Sequence, residues 1–89
     1  MNKVISEEHL DKYIALTTKA IDKVKIVNKK GEDMLDMATR YLSDAKHFKD
    51  KNDYVNSFAC INYAHGWLDA GARLGFFDVG GDNKLFTVD

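Results

Sequence analysis

The chain of 89 residues contains no proline and a single cysteine, and its formal charge is only −1. Without proline, collagen-like repeats, proline-rich linkers and proline-punctuated β-sandwiches are excluded, whereas long uninterrupted helices are permitted. One thiol, Cys60, cannot close an intramolecular disulfide, and it excludes the CxxC patterns of zinc and redox sites. That cysteine usage points to a reducing, intracellular compartment. No apolar run approaches the roughly 18–20 residues that a membrane span needs, and the opening MNKVISEEHLDKY lacks the basic-then-apolar layout of a secretory signal. The expectation is a cytoplasmic chain with no membrane partner. Near-neutral charge also excludes the global basic field that drives non-specific nucleic-acid binding. The asymmetry is mild: residues 1–30 carry seven lysines against four acids, and the remainder is slightly acidic.

What is present is an ordinary globular composition, 45% hydrophobic and 30% charged, in a length that makes one domain over 1–89 with a small core. The periodicity predicts an all-α fold, an antiparallel three-helix bundle with a short irregular C-terminal tail. The first helix starts at Ser6, a side-chain cap backed by Glu7, Glu8 and Asp11, and carries Leu10, Ile14, Thr17, Ile21 and Val24 on one stripe. Lys29, Lys30 and Gly31 read as its stop, giving a rod from Ser6 to Asn28 about 35 Å long. The second helix, Glu32 to about Lys49, places Met34, Ala38, Tyr41, Ala45 and Phe48 together, and the polar run Asp50 to Asp53 turns the chain.

The third helix begins near Asp53 and is the most apolar segment, with hydrophobic residues around nearly its whole circumference. It is therefore expected to be sandwiched between the others or buried in a partner, leaving a narrow exposed face. Gly66, Gly71 and Gly75 each cost a helix about 1 kcal/mol relative to Ala, which is understandable where another backbone approaches closely or the helix ends. The tail is turn chemistry from Asp78 to Lys84, followed by the extended, β-prone Leu85 to Val88.

Against that apolar background Asn62, His65, Asp69 and Arg73 form a polar file at spacings of three, four and four. Asp69 can orient the imidazole on one flank and pair with the guanidinium on the other. Two readings are open. One is an anion or nucleotide pocket, with Arg73 as the charge, His65 as a proton donor and Tyr63 or Trp67 stacking a base; the other is a hydrogen-bonded network that fixes helix register or a dimer interface, or a solvated strip. Tyr63 and Trp67, four apart, fit core packing equally well. Arg40 and His47 match the loose Arg-to-His spacing of the HEPN ribonucleases, which are also small helical domains, but no other phosphate-binding group accompanies them. No metal-ligand spacing, cofactor motif or catalytic set emerges: His9, His47 and His65 lie on three different predicted helices. Cys60 reads as a small core side chain, because no cation near it in sequence would activate a thiolate.

The run DYVNSFACINYAHGWLDAGARLGFFDV, from Asp53 to Val79, with the closing LFTVD, resembles the archaeal family known as domain of unknown function 357. The likeness concentrates in NYAHGWLDAGARLGFFDV, and YLSDAKHFKDKNDY fits the family's second helix and turn. The resemblance implies a small archaeal helical bundle, found alone or appended to a nucleotidyltransferase-like domain, with no assigned activity. Its signature positions fall on Asn62, Tyr63, His65, Gly66, Trp67, Asp69, Gly71 and Arg73.

The function expected from all this is a non-enzymatic interaction or self-association module. It would use the apolar surface of the third helix and the cluster Phe76, Phe77, Leu85 and Phe86 to form a homo-oligomer or hold a protein partner. The alternative is a nucleotide- or RNA-binding domain centred on Asn62, Tyr63, His65, Trp67, Asp69 and Arg73, with HEPN-like cleavage as its catalytic variant.

Overall fold

A computed structural model describes residues 4–86. Three helices, α1 (Glu7–Lys23), α2 (Lys30–Asp50) and α3 (Tyr54–Arg73), are joined by a two-stranded antiparallel ribbon of β1 (Lys25–Ile26) and β2 (Phe77–Asp78). The start of α1 lies beside the end of α2, where Lys49 pairs with Asp11 and its ammonium is held above the usual lysine range by that hydrogen bond. Thr17 on α1 meets His65 on α3, so α1 and α3 run parallel and α2 runs against both. The all-α three-helix bundle is the observed architecture.

Both predicted caps form. Ser6 Oγ accepts from the His9 N–H at 3.1 Å and Asp53 Oδ1 accepts from the Asn56 N–H at 3.1 Å, each satisfying an orphan donor of a first turn. The turn between α2 and α3 closes in a Schellman motif with Asn52 left-handed at φ 63°. There the Asp53 N–H donates to the Phe48 carbonyl and the Asn52 N–H to that of Lys49. Gly75, at φ 78°, ends α3 in the same way, the Phe76 N–H reaching the Gly71 carbonyl at 2.9 Å.

The first helix is shorter than its periodicity predicts. It stops at Lys23, and Val24 to Val27, three of whose four residues are β-branched, turn extended. Ile26 then pairs with Phe77 and Lys25 with Asp78, and the Val27 N–H donates to the Phe76 carbonyl at 3.0 Å. A run compatible with either period is decided here by a distant partner strand. Gly31 consequently ends nothing: it is a buried residue in the first turn of α2, just after Asn28, whose Oδ1 accepts from the Lys30 N–H.

The tail also departs from expectation. Its strand is Phe77–Asp78, whereas Leu85 and Phe86 lie in a turn and bend, and Thr87 and Val88 fall outside the described residues. Phe77 is 4% exposed and Phe86 2%, packed with Ala20, Ala38, Leu68 and Val79 into the larger of two core clusters, while Phe76 and Leu85 pack on its rim. The cluster expected to dock a partner is thus the plug of the bundle's own open end. Three short helices leave that end uncovered, and the tail supplies the missing apolar area.

Asp82 holds the tail turn. Lys23 Nζ donates to its Oδ2 at 2.6 Å, and the N–H groups of Lys84 and Leu85 donate to its Oδ1. These bonds, that from Lys23 foremost, lower the carboxyl from 3.8 to about 2. A carboxyl depressed on folding adds stability that is complete above its unfolded value and disappears as pH falls through its folded value. The urea midpoint of the wild type should therefore exceed that of Asp82→Asn by a constant margin above about pH 5, a margin that shrinks below about pH 4 and vanishes near about pH 2. A margin independent of pH over that range would contradict the assignment.

Candidate functional site

α3 contacts both other helices through Ser57, Ile61, Ala64, Leu68 and Gly71, its buried face. The Ser57 hydroxyl donates to the Ala45 carbonyl of α2 at 2.6 Å, so a polar residue in the core is satisfied and fixes the register of the hairpin. α3 is central to the bundle as expected, but its free face is broad instead of narrow.

Asn62, His65 and Asp69 of the polar file border one cleft, and Arg73 lies outside its lining. His65 turns inward between α1 and the tail: its Nε2 lies 2.6 Å from the Leu85 carbonyl and its Nδ1 3.2 Å from the hydroxyl of buried Thr17. A carbonyl only accepts, so Nε2 carries the proton, and in the neutral ring Nδ1 accepts from Thr17. Both nitrogens are engaged, and the expected Asp69 partner stands off at 3.8 Å. Asn62 and Arg73 are exposed, while Asp69 is half-buried beside a cleft that Tyr13, Asn62, Lys84 and Leu85 also line. The sequence reading missed Thr17 and the Leu85 carbonyl. Thr17 did carry a signal, being the one hydroxyl on the apolar stripe of the first helix, where a buried polar group must find a partner.

Tyr63 does not pair with Trp67. It stacks on Tyr41 of α2, ring centroids 5.2 Å apart and planes at 21°, and remains 63% exposed, whereas Trp67 leans on the larger core cluster. Between them lies Gly66, whose missing Cβ would meet nothing within 4 Å. Asn62, Tyr63, Gly66, Trp67 and Ala70 border a shallow depression of about 480 Å³ there. Val55, 72% exposed, and Leu74, 64% exposed, extend the apolar surface to either end of α3.

This face stands apart from the rest of the molecule. Of the exposed positions of α3, namely Val55, Asn56, Ala59, Asn62, Tyr63, Gly66 and Arg73, only the last carries charge. The exposed positions of α1 and α2 are mostly Asp, Glu, Lys and Arg, as solvated helix faces usually are. Arg40 and His47 belong to that charged surface: both are exposed on α2, and Arg40 Nε is tied to Asp36 Oδ2 at 2.9 Å. Cys60 packs half-buried against the smaller core cluster, and burial pushes its thiol up, away from a reactive thiolate. Among the described residues no three His, Cys, Asp or Glu side chains group closely enough to hold a metal ion, and no helix is long and apolar enough to cross a membrane.

Fold and surface together define a small three-helix bundle, clasped by a strand ribbon, whose third helix presents an uncharged outer face. The chain belongs to the family described as protein of unknown function (DUF357), whose model matches residues 12–77. That span runs from the first turns of α1 to Phe77, taking in β1, α2, all of α3 and the first residue of β2. No curated protein and no solved structure matches the chain.

Proposed function

We propose that this protein is a non-enzymatic interaction module whose docking surface is the outer face of α3. The observation that supports this most is the near absence of charge along five turns of exposed helix, with Val55, Tyr63 and Leu74 all more than half exposed. Exposed apolar area of this kind costs solubility and persists where contacts cover it. Tyr63, stiffened by its stack on Tyr41, is the natural anchor, since aromatic residues dominate the centres of interfaces. The earlier candidates Phe77 and Phe86 drop out of this reading because the core consumes them.

Site-specific photo-crosslinking in cells tests the reading. A benzophenone side chain at Tyr63 or Val55 should yield discrete protein adducts, and one at Lys12, on the charged face of α1, should not. Equal labelling from all three positions, or none from any, would refute it. Adducts with RNA alone would favour the nucleic-acid alternative, which keeps Asn62, Tyr63, Trp67, Asp69 and Arg73 but must do without a free imidazole nitrogen on His65.

A further inference from the structure

The segment from Asp82 to Phe86 is held to the helices through side chains. It forms no helix or strand, and among the described residues no backbone-to-backbone hydrogen bond joins it to a helix. Three anchors seat it. Lys23 Nζ on α1 donates to Asp82 Oδ2 at 2.6 Å, His65 Nε2 on α3 donates to the Leu85 carbonyl at 2.6 Å, and the Phe86 ring enters the larger core cluster. The N–H groups of Lys84 and Leu85 are satisfied inside the segment by Asp82 Oδ1. Just before it stand Gly80 and Gly81, both exposed and left-handed at φ 66° and 71°, and a Cβ on either would meet nothing within 4 Å. Such a pair can absorb a large change of backbone angle while giving up no packing of its own, which is what a hinge needs.

We infer that this segment is an exchangeable strap: when it swings out on Gly80 and Gly81, its bed between α1 and α3 receives an extended segment of a partner protein with the same pattern of anchors. The bed specifies that pattern. A lysine, then an imidazole N–H, then an apolar slot call for an acid, a backbone carbonyl three residues on and an aromatic ring at the fourth. The bed lies on the α1 side of α3, so this inference is independent of the docking role proposed for the outer face.

The incoming segment has to outdo a tethered competitor. A strap on a short linker acts at an effective concentration on the order of millimolar, so a segment that only copied its contacts would lose. The strap of a second copy offers those same contacts and no more, which argues against a swapped dimer. A foreign segment can improve on one position. Lys84 is exposed and borders a cleft of about 320 Å³ whose apolar walls are Tyr13, Leu16 and Leu85. An aromatic side chain at that register would lie against those walls and bury area that the strap leaves in water. The partner segment is therefore an acid, any residue, an aromatic, an aliphatic and a second aromatic, in that order.

Two peptides test this against the full chain: the strap sequence GGDNKLF, residues 80–86, and its Lys84→Trp form. In the Phe86→Ala protein, whose own strap lacks its ring, the Lys84→Trp peptide should raise Tm with a dissociation constant on the order of 0.1–1 mM, and GGDNKLF should bind about tenfold more weakly. If Phe86→Ala does not fold alone, the peptide should restore its helical circular dichroism. The wild type, whose strap competes, should bind at least about tenfold more weakly than Phe86→Ala. Adding Lys23→Glu to Phe86→Ala should abolish binding, and adding Tyr63→Ala, on the outer face of α3, should not. No rise in Tm or helicity at about 5 mM peptide, equal binding to wild type and Phe86→Ala, or binding indifferent to Lys23→Glu overturns the inference. A wild-type dimer in sedimentation equilibrium that the peptide dissociates would put a second copy's strap in the bed and overturn the choice of a partner protein. Photo-crosslinking at Tyr63 and Val55 reports on the outer face alone, so either reading can fail without the other.

Discussion

Gly71→Ala should destabilise the protein by about 3 kcal/mol, at the upper end of ordinary overpacking effects. A Cβ at this position would stand 2.2 Å from Cε2 of Phe77 and within 2.8 Å of two more ring atoms. The ring cannot retreat, because its other side rests on Gly31, where a Cβ would lie 2.9 Å from Phe77 Cε1 and 3.0 Å from the Phe76 carbonyl oxygen. Two glycines on two helices therefore form a slot one aromatic ring wide, and the chain that fills it is the β2 strand. For a domain of this size the loss corresponds to a fall in Tm of roughly 12–24 °C. Urea unfolding of the wild type and variant measures it. Phe77→Leu should cost stability in the wild type but much less in the Gly71→Ala background, since the smaller side chain relieves the overlap. As a contrast, Gly66→Ala at low micromolar concentration should raise stability by about 0.5–1 kcal/mol, because the new methyl meets no atom and the helix gains propensity. Destabilisation at both glycines alike would show that the slot is not the cause.

His65→Ala should cost about 2 kcal/mol with no ligand present, because it strips partners from the buried Thr17 hydroxyl and from the Leu85 carbonyl at once. The imidazole is a bridge between α1, α3 and the tail. Its loss should also quicken hydrogen exchange over residues 82–86, which would lose one tie to the helices while keeping the Lys23–Asp82 pair and the packing of Phe86. A double-mutant cycle with Thr17→Val separates bridge from bulk: Thr17→Val should destabilise the wild type and be nearly neutral once His65 is gone. A ligand-binding histidine would behave otherwise, with little change in the free protein and a loss that appears only on adding ligand. Full additivity of the two substitutions would argue against the bridge.

These two positions also mark where sequence reasoning reached and where it stopped. Gly71 is legible as a glycine inside a helix, where the sequence predicts the close approach of another backbone, but what approaches is an aromatic side chain six residues further on, after the chain has reversed through Gly75. His65 stood out as a polar residue on an apolar helix. Its spacing points to Asp69, four residues on, which lies 3.8 Å from Nε2, while the hydrogen bonds go to Thr17 and Leu85, 48 and 20 residues away. Spacing along one helix lists only the neighbours that the helix itself supplies. The nearest partner in three dimensions was on another element.

Much else needed no tertiary information. The three helices, the caps at Ser6 and Asp53 and the turn from Asp50 to Asp53 follow from periodicity and from side chains acting within about one helical turn. The sequence by itself therefore determined an all-α bundle and a third helix poor in charge. The tertiary structure alone decided that Val24 to Val27 leave the first helix for a ribbon, that Phe77 and Phe86 plug the core instead of facing a partner, and that Tyr63 is left exposed on a stacked pair. The physical reason is range. Helix period and capping are local terms summed residue by residue, whereas a two-residue strand, a ring in a slot and a histidine bridge exist only when segments far apart in the chain meet, and their free energy appears nowhere in either segment alone.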